Sequence, residues 1–316
     1  MKTISIVIPV KNGASTLKRC LDAIISQTLI DQTEIIIIDS GSTDGTLELI
    51  RNYPFLIRLY EIPPEDFSHG GTRNYGVSLA KGEFVVMTVQ DAWASSKDWL
   101  EIMLAHFKRD KKVSAVVGQQ VAPHQSGVNP HQWYRPVSKP RLIETYFENT
   151  EEYTKLNGRE QHNVTFSDDV NTMYRKSSLT EHPFKQIEFG EDMLVIKKFL
   201  SHRKKVIYDA RSSVWHYHFL SKDYTYRVNF TVLYQKHKIF GYTPTTQYRL
   251  KDYLLIIYRN FKYKAHIKWI LHNINILKAQ QKAFNDFIKY KKRGAEALDK
   301  YYKSLNPKNV QGKQKV

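Results

Sequence analysis

Four residues able to do polar chemistry stand where apolar runs end. Asn12 follows Ile4 to Val10, Asp39 closes Glu34 to Asp39 with Asp44 just beyond, and Asp91 follows Phe84 to Val89. If those runs are strands of an open α/β sheet, ligands bind beyond their carboxyl ends and these four residues line one rim. Asn and Asp also form turns and helix caps, so each residue taken singly has a structural reading. Gly70 and Gly71 open a helical segment just before Arg73. A helix N-terminus with an arginine beside it can hold a diphosphate; a glycine turn with a surface arginine is the plainer alternative. Glu191 and Asp192 begin another helical segment, where acids favour the helix dipole whether or not they react. His216 and His218 alternate along an extended run, so their rings share a face. Such a pair serves structure or metal binding equally well.

The elements that must position these groups follow from hydrophobic spacing. Ile4 to Val10, Glu34 to Asp39, Leu56 to Ile62, Phe84 to Val89 and Val113 to Val121 read as strands, the second almost all isoleucine, as in a parallel strand covered on both faces. Between them Ala14 to Gln27, Thr43 to Asn52, Gly71 to Ala80 and Lys97 to Phe107 read as helices, with Ser42 or Thr43 as an N-cap. This alternation predicts an α/β fold. Residues 122–165, with four prolines, read as a loop-rich excursion on the acceptor side. Val170 to Arg175 reads as a strand, Glu191 to Leu200 as a helix and Lys205 to Trp215 as an extended return; the last ten residues read as disordered.

The chain has 316 residues, 41% of them hydrophobic, which excludes a disordered chain. Its charge of +17 is uneven: residues 1–220 carry 27 basic and 26 acidic groups, residues 221–316 carry 21 and 5. That asymmetry predicts an anionic partner for the tail. One cysteine, Cys20, excludes an internal disulfide framework and fits a reducing compartment. The N-terminus lacks a signal-peptide pattern, and the apolar runs fall short of the roughly 18 residues a membrane span needs.

Ser5-Ile6-Val7-Ile8-Pro9-Val10-Lys11-Asn12, followed by Ile36-Ile37-Ile38-Asp39-Ser40-Gly41-Ser42-Thr43-Asp44-Gly45-Thr46, resembles the opening of family 2 glycosyltransferases. The resemblance covers residues 1–220. It implies the GT-A fold, a Rossmann-like catalytic domain whose mostly parallel central sheet is flanked by helices, followed here by a basic, amphipathic helical region at 221–316. It also implies that Pro9, Val10, Asn12 and Asp39 hold the nucleoside of a sugar nucleotide, the Asp39 carboxylate meeting the base and Asp44 supporting the loop. Phe67-Ser68-His69-Gly70-Gly71-Thr72-Arg73-Asn74-Tyr75-Gly76 with Gln90-Asp91-Ala92 is similar to a narrower, rhamnosyltransferase-like pattern, which adds His69, Arg73 and Gln90 to the donor site. The family's Asp-x-Asp metal motif is incomplete, since Val89 stands at its first acidic position. A divalent ion, Mg²⁺ or Mn²⁺, is still implied, with Asp91 and His216 as ligands and His218 beside them. Gly190-Glu191-Asp192-Met193 resembles the family's acidic pair, implying Asp192 as catalytic base and Glu191 as a positioning group near the acceptor.

The implied reaction is an inverting displacement on a nucleoside-diphosphate sugar, dTDP-L-rhamnose first and UDP-sugars second, by a hydroxyl of a glycan or lipid-linked glycan in cell-surface polysaccharide synthesis. A nucleotidyltransferase would need a glycine-rich, basic phosphate loop, and Pro9 to Gly13 holds one glycine. A nucleic-acid-binding protein would account for the tail, but the nearly neutral 1–220 region argues against it, so no nucleic acid is expected. Tyr253, Leu254, Ile257, Tyr258, Phe261, Ile267, Trp269 and Ile270 among basic residues favour an anionic membrane surface; helices packed on the catalytic domain are the other reading. The expected location is cytoplasmic, peripheral at the inner face of the membrane.

Overall fold

Runs of Ile and Val build the sheet. A computed structural model describes residues 2–123, 128–129, 141–165, 167–245 and 249–305. Among these, residues within 1–121, 138–187 and 191–216 form one unit, and those within 122–137, 188–190 and 217–316 a second.

In the first unit, β1 (Ile4–Val10), β2 (Thr33–Asp39), β3 (Ile57–Glu61) and β4 (Phe84–Thr88) lie parallel in the order β3-β2-β1-β4. The helices α1 (Leu17–Ile25), α2 (Thr46–Arg51) and α3 (His69–Leu79) connect them. Beyond β4 the sheet continues through β8 (Asn171–Arg175), β6 (Val113–Val121) and β9 (Lys205–Trp215) to β5 (Trp93–Ala94), with β7 (Leu142–Thr145) paired to β9. The expected parallel sheet is thus one half of a mixed one: β8 runs antiparallel to both β4 and β6, while β6 and β9 are parallel to each other. This arrangement brings the carboxyl ends of β1, β2, β4, β6 and β9 and the amino end of β8 to the same edge.

Period-two alternation splits the strand side chains between two cores. Ile6, Ile8, Ile35, Ile37 and Val86 pack with Leu17, Leu21 and Ile24 of α1 and with Leu100, Met103 and Phe107 of α4 (Trp99–Arg109). On the opposite face Val7, Ile36, Ile38, Val85 and Met87 pack with Val77 of α3 and with Ile196, Phe199 and Leu200 of α8 (Glu191–Ser201). Asn171 pins the transition between the sheet's halves: its amide accepts from Trp99 Nε1 at 2.7 Å and donates to Ser212 O at 3.0 Å.

Two local expectations are corrected. The N-cap of α2 is Gly45, at φ +87°, and not Ser42 or Thr43; the Ser42 hydroxyl is already taken by the Asn12 N–H and the Asp39 carboxylate. The excursion at 122–165 contains, in its described part, β7 and the helices α5 (Thr150–Lys155) and α6 (Gly158–Val164). With six and seven residues, these helices are too short to show a period, and the side chains of Asn149 and Asn157 cap them. A short helix α7 (Lys176–Glu181) also follows β8. The last ten residues lie outside the described residues.

The second unit is helical: α9 (Lys222–Phe240), α10 (Leu250–Lys262), α11 (Lys268–Lys292) and α12 (Ala295–Ser304). Its own core joins Phe230, Leu233 and Tyr234 of α9, Ala283 and Phe287 of α11, and Leu298 and Tyr302 of α12. No described helix is long and apolar enough to cross a membrane.

Candidate active site

The loops after β1 and β2 are stitched together side chain to backbone. The β1–β2 register ends on Val10 opposite Asp39. Beyond it Asn12, at φ +51°, donates its N–H to Ser42 Oγ at 2.8 Å and accepts the Thr43 N–H on Oδ1 at 2.8 Å. Asp44 accepts from Ala14 N–H at 3.1 Å and from the Thr46 N–H and hydroxyl. Against the upward push of burial, these bonds hold its carboxyl below the usual carboxylate range. Asp39 has no exposed surface. Its Oδ1 takes the N–H groups of Gly41 and Ser42, each at 2.9 Å, and its Oδ2 takes the Ser42 hydroxyl. In this conformation Asp39 shapes the loop, and a base reaches its carboxylate only if Ser42 moves. Gln90, after β4, locks the third strand end to the first by accepting the Lys11 N–H at 2.9 Å and donating to Lys11 O at 3.0 Å. Pro9 is half-buried and Val10 buried at the end of β1.

Arg73 does not stand ready for a diphosphate, contrary to the expectation. It is buried in α3, with Nε 3.1 Å from Asp169 Oδ2 and Nη1 paired to Glu191 Oε1. Two buried carboxylates thus share one guanidinium, through its Nε and its Nη1. The two glycines before it serve packing: a Cβ at Gly70 would lie 2.2 Å from Lys185 O, and one at Gly71 2.5 Å from Ser68 Oγ. His69 stacks edge-on against Phe67, and burial, with Arg73 adding to it, lowers its pKa.

Asp169 is the residue that motif reading missed. Tyr174 donates its hydroxyl to Asp169 Oδ1 at 2.6 Å. Burial pushes the Asp169 carboxyl up to about 6, although Arg73 and Tyr174 pull it down. Glu191 and Asp192 begin α8 directly after Gly190, whose φ of +89° turns the chain into the helix. Asp192 is half-buried and accepts the Met193 N–H at 2.7 Å. Burial, then the neighbouring Glu191 and Asp169, raises its pKa well above the ordinary carboxylate value, with Arg73 opposing. A carboxyl so placed holds its proton more tightly than an ordinary aspartate does.

Asp91 and His216 come from different strand ends and meet, Oδ1 to Nε2 at 3.5 Å. The His216 N–H bonds to Val121 O at 2.9 Å, continuing the β6–β9 ladder. Its Nδ1 lies 2.6 Å from Gln120 Oε1, and Gln120 Nε2 donates to Asp168 Oδ2 at 2.5 Å. One carboxylate oxygen and one imidazole nitrogen are a fitting partial donor set for Mg²⁺ or Mn²⁺. His218 is half-buried two residues on, within the second unit.

A stitched loop pair thus stands at the first two strand ends, with carboxylates from β4, β8 and α8 at the same edge of the sheet. The sequence model of Glycosyl transferase family 2 matches residues 5–182, more than half of the chain, and the chain belongs to that family. It is 28% identical over 312 residues to the O-antigen chain rhamnosyltransferase RfbN of Salmonella typhimurium, covering 96% of this chain and 91% of that protein. The O-antigen chain rhamnosyltransferase WbaN of Salmonella anatum is 29% identical over 313 residues with the same coverage. Among solved structures, S. aureus TarS 1-349 superposes with a TM-score of 0.53 at 16% identity, covering all of this chain and 93% of that one. The mannosyltransferase PcManGT of Pyrobaculum calidifontis, solved with GDP-Man and Mn²⁺, gives 0.56 at 15% identity over 98% and 86%. At those identities the likeness speaks for the fold alone.

Proposed function

We propose that this glycosyltransferase is an inverting rhamnosyltransferase, with residues 1–220 as its catalytic domain, that takes the sugar of a nucleoside diphosphate, dTDP-L-rhamnose ahead of UDP-sugars, to a glycan hydroxyl in cell-surface polysaccharide synthesis. The observation that carries this reading is the cluster of Asp169, Glu191 and Asp192 around Arg73, which leaves Asp192 half-exposed with a raised pKa. Likeness to two O-antigen rhamnosyltransferases along nearly the whole chain supports the sugar.

In this reading Asp192 takes the proton of the acceptor hydroxyl as its oxygen forms a bond to the anomeric carbon. The bond from that carbon to the diphosphate breaks, the nucleoside diphosphate leaves with the electron pair, and one displacement inverts the centre. Arg73 holds Glu191 and Asp169 beside Asp192 and moderates the proton affinity that burial and these two carboxylates raise. Pro9, Val10 and Asn12 line the nucleoside side, with Gln90 holding that loop against β4 and His69 at the start of α3. Asp91 and His216, with His218 as a third candidate, would hold the divalent ion, which when bound neutralises charge developing on the diphosphate. Calorimetry with dTDP, dTDP-L-rhamnose and UDP-sugars, with and without Mn²⁺, tests the donor: binding by dTDP species supports it, and silence from every nucleotide removes it.

A lipid-linked acceptor at the inner membrane face is the second part of the proposal. Leu250, Leu254, Tyr258 and Phe261 form one exposed stripe of α10, with Lys251, Lys262, Lys264 and Lys268 exposed nearby. Apolar side chains ringed by lysine suit an anionic bilayer surface. The stripe differs from the one expected, because Trp269 is buried and Tyr253 and Ile270 are half-buried. Co-sedimentation with anionic vesicles that falls in high salt and after Leu254→Ser with Phe261→Ser supports membrane contact; partitioning unchanged by all three excludes it.

A further inference from the structure

His216, one of the metal-ligand candidates, sits on a hydrogen-bond chain whose far end has no part in the proposed displacement. Asp168 precedes β8, Gln120 lies near the end of β6 and His216 follows β9, so the chain spans three strands. Its direction is legible from donors and acceptors alone. Asp168 Oδ1 accepts the Val170 N–H at 3.2 Å and its Oδ2 faces the Gln120 side chain at 2.5 Å. An ionised carboxylate only accepts, so the Gln120 amide must turn its NH₂ toward Asp168 and its carbonyl oxygen toward His216. A carbonyl oxygen also only accepts, so the proton between Gln120 and His216, 2.6 Å apart, belongs to His216 Nδ1. In the neutral ring the lone pair then resides on Nε2, the nitrogen turned toward Asp91 at 3.5 Å.

We propose that Gln120 and Asp168 are positioning residues that fix the tautomer of His216, presenting the Nε2 lone pair and Asp91 together to a divalent cation. Nothing in the donor-binding reading requires either residue. The metal half of the inference rests on the proposed Asp91–His216 site, and the tautomer half stands independently of it. Ligand histidines commonly hand their second ring nitrogen to an acceptor in this way, and loss of that acceptor weakens metal binding roughly 10–100-fold.

The swap of one atom tests the idea. In Asp168→Asn the new side chain keeps its oxygen on the Val170 N–H and offers an NH₂ to Gln120; the glutamine amide reverses and donates to Nδ1. The His216 proton is then expected on Nε2. In the double variant, Gln120→Glu with Asp168→Asn, that same NH₂ meets one oxygen of the carboxylate introduced at position 120, and the other oxygen again accepts from Nδ1–H. Nitrogen-15 NMR of the imidazole in the metal-free, full-length protein reads the tautomer, and Mn²⁺ titration by electron paramagnetic resonance reads affinity. Expected are Nδ1–H in the wild type, Nε2–H and a roughly 10–100-fold weaker Mn²⁺ in Asp168→Asn, and recovery of both in the double variant. An Nε2–H wild type, or a double variant no better than Asp168→Asn, overturns the proposal. A wild type that shows the expected tautomer and reversal but takes up no Mn²⁺ leaves the tautomer assignment in place and removes the metal site.

Discussion

The two sides of the site handle their charges in opposite ways. At the ends of β1 and β2, Asp39 and Asp44 are neutralised by N–H groups and hydroxyls within two or three residues of themselves, or across the adjacent loop. At β8 and α8, Asp169 and Glu191 are held by one guanidinium, that of Arg73, which stands 118 residues before Glu191. The first arrangement makes a rigid loop with settled acids. The second makes a cluster with more carboxylates than cations, in which burial and mutual repulsion raise the proton affinities of both Asp169 and Asp192. In the proposed reaction the first region would hold the donor and the second would supply the general base.

Removing the cation should be the most damaging way to break this contrast. Arg73→Met leaves two buried carboxylates unpaired, and a loss of about 3–5 kcal/mol of folding stability is expected at pH 8 by denaturant titration. The loss should shrink toward pH 5, where Asp169, whose carboxyl is already raised to about 6, takes a proton. Equal losses at both pH values would mean that Arg73 serves by packing alone. Asp39→Ala, the matching lesion on the other side, strips partners from Gly41 N–H, Ser42 N–H and the Ser42 hydroxyl. About 2 kcal/mol is expected by the same titration at pH 8. A loss as large as that of Arg73→Met would erase the distinction between the two regions.

The smallest effect carries the opposite sign. A carboxyl whose pKa is raised by folding contributes its stabilisation in full below its unfolded pKa and loses it as pH rises through the folded value. Asp192→Asn keeps the acceptor for Met193 N–H and removes the charge, so its melting temperature should exceed that of the wild type by a few degrees at pH 8 and match it at pH 4. A lower melting temperature at pH 8 would show that the Asp192 charge is stabilising.

The same contrast explains what the sequence disclosed. The donor-side loops are continuous motifs, and β9 was bounded to the residue, because apolar alternation and local turn chemistry are written along the chain. Asp168, Asp169 and Gln120 carry no such signature. Gln120 meets Asp168 across 48 residues, where β8 runs antiparallel beside β6, and His216 across 96, where β9 runs parallel to β6. An adjacent Asp pair just before a strand was the available clue, and it reads equally as a turn. The ion pairs of Arg73 are hidden for the same reason, since its partners lie far along the chain.

The central claim is that Asp192 is the general base of a sugar transfer. Single-turnover transfer from dTDP-L-rhamnose to an acceptor glycan, measured alongside calorimetric donor affinity for wild type and Asp192→Asn, tests it most directly. The account predicts a loss of turnover of about 10²–10⁴-fold with donor affinity changed less than about twofold, and a wild-type rate that climbs with pH as the raised Asp192 carboxyl ionises. Turnover retained in Asp192→Asn, or lost in proportion to donor affinity, would contradict it.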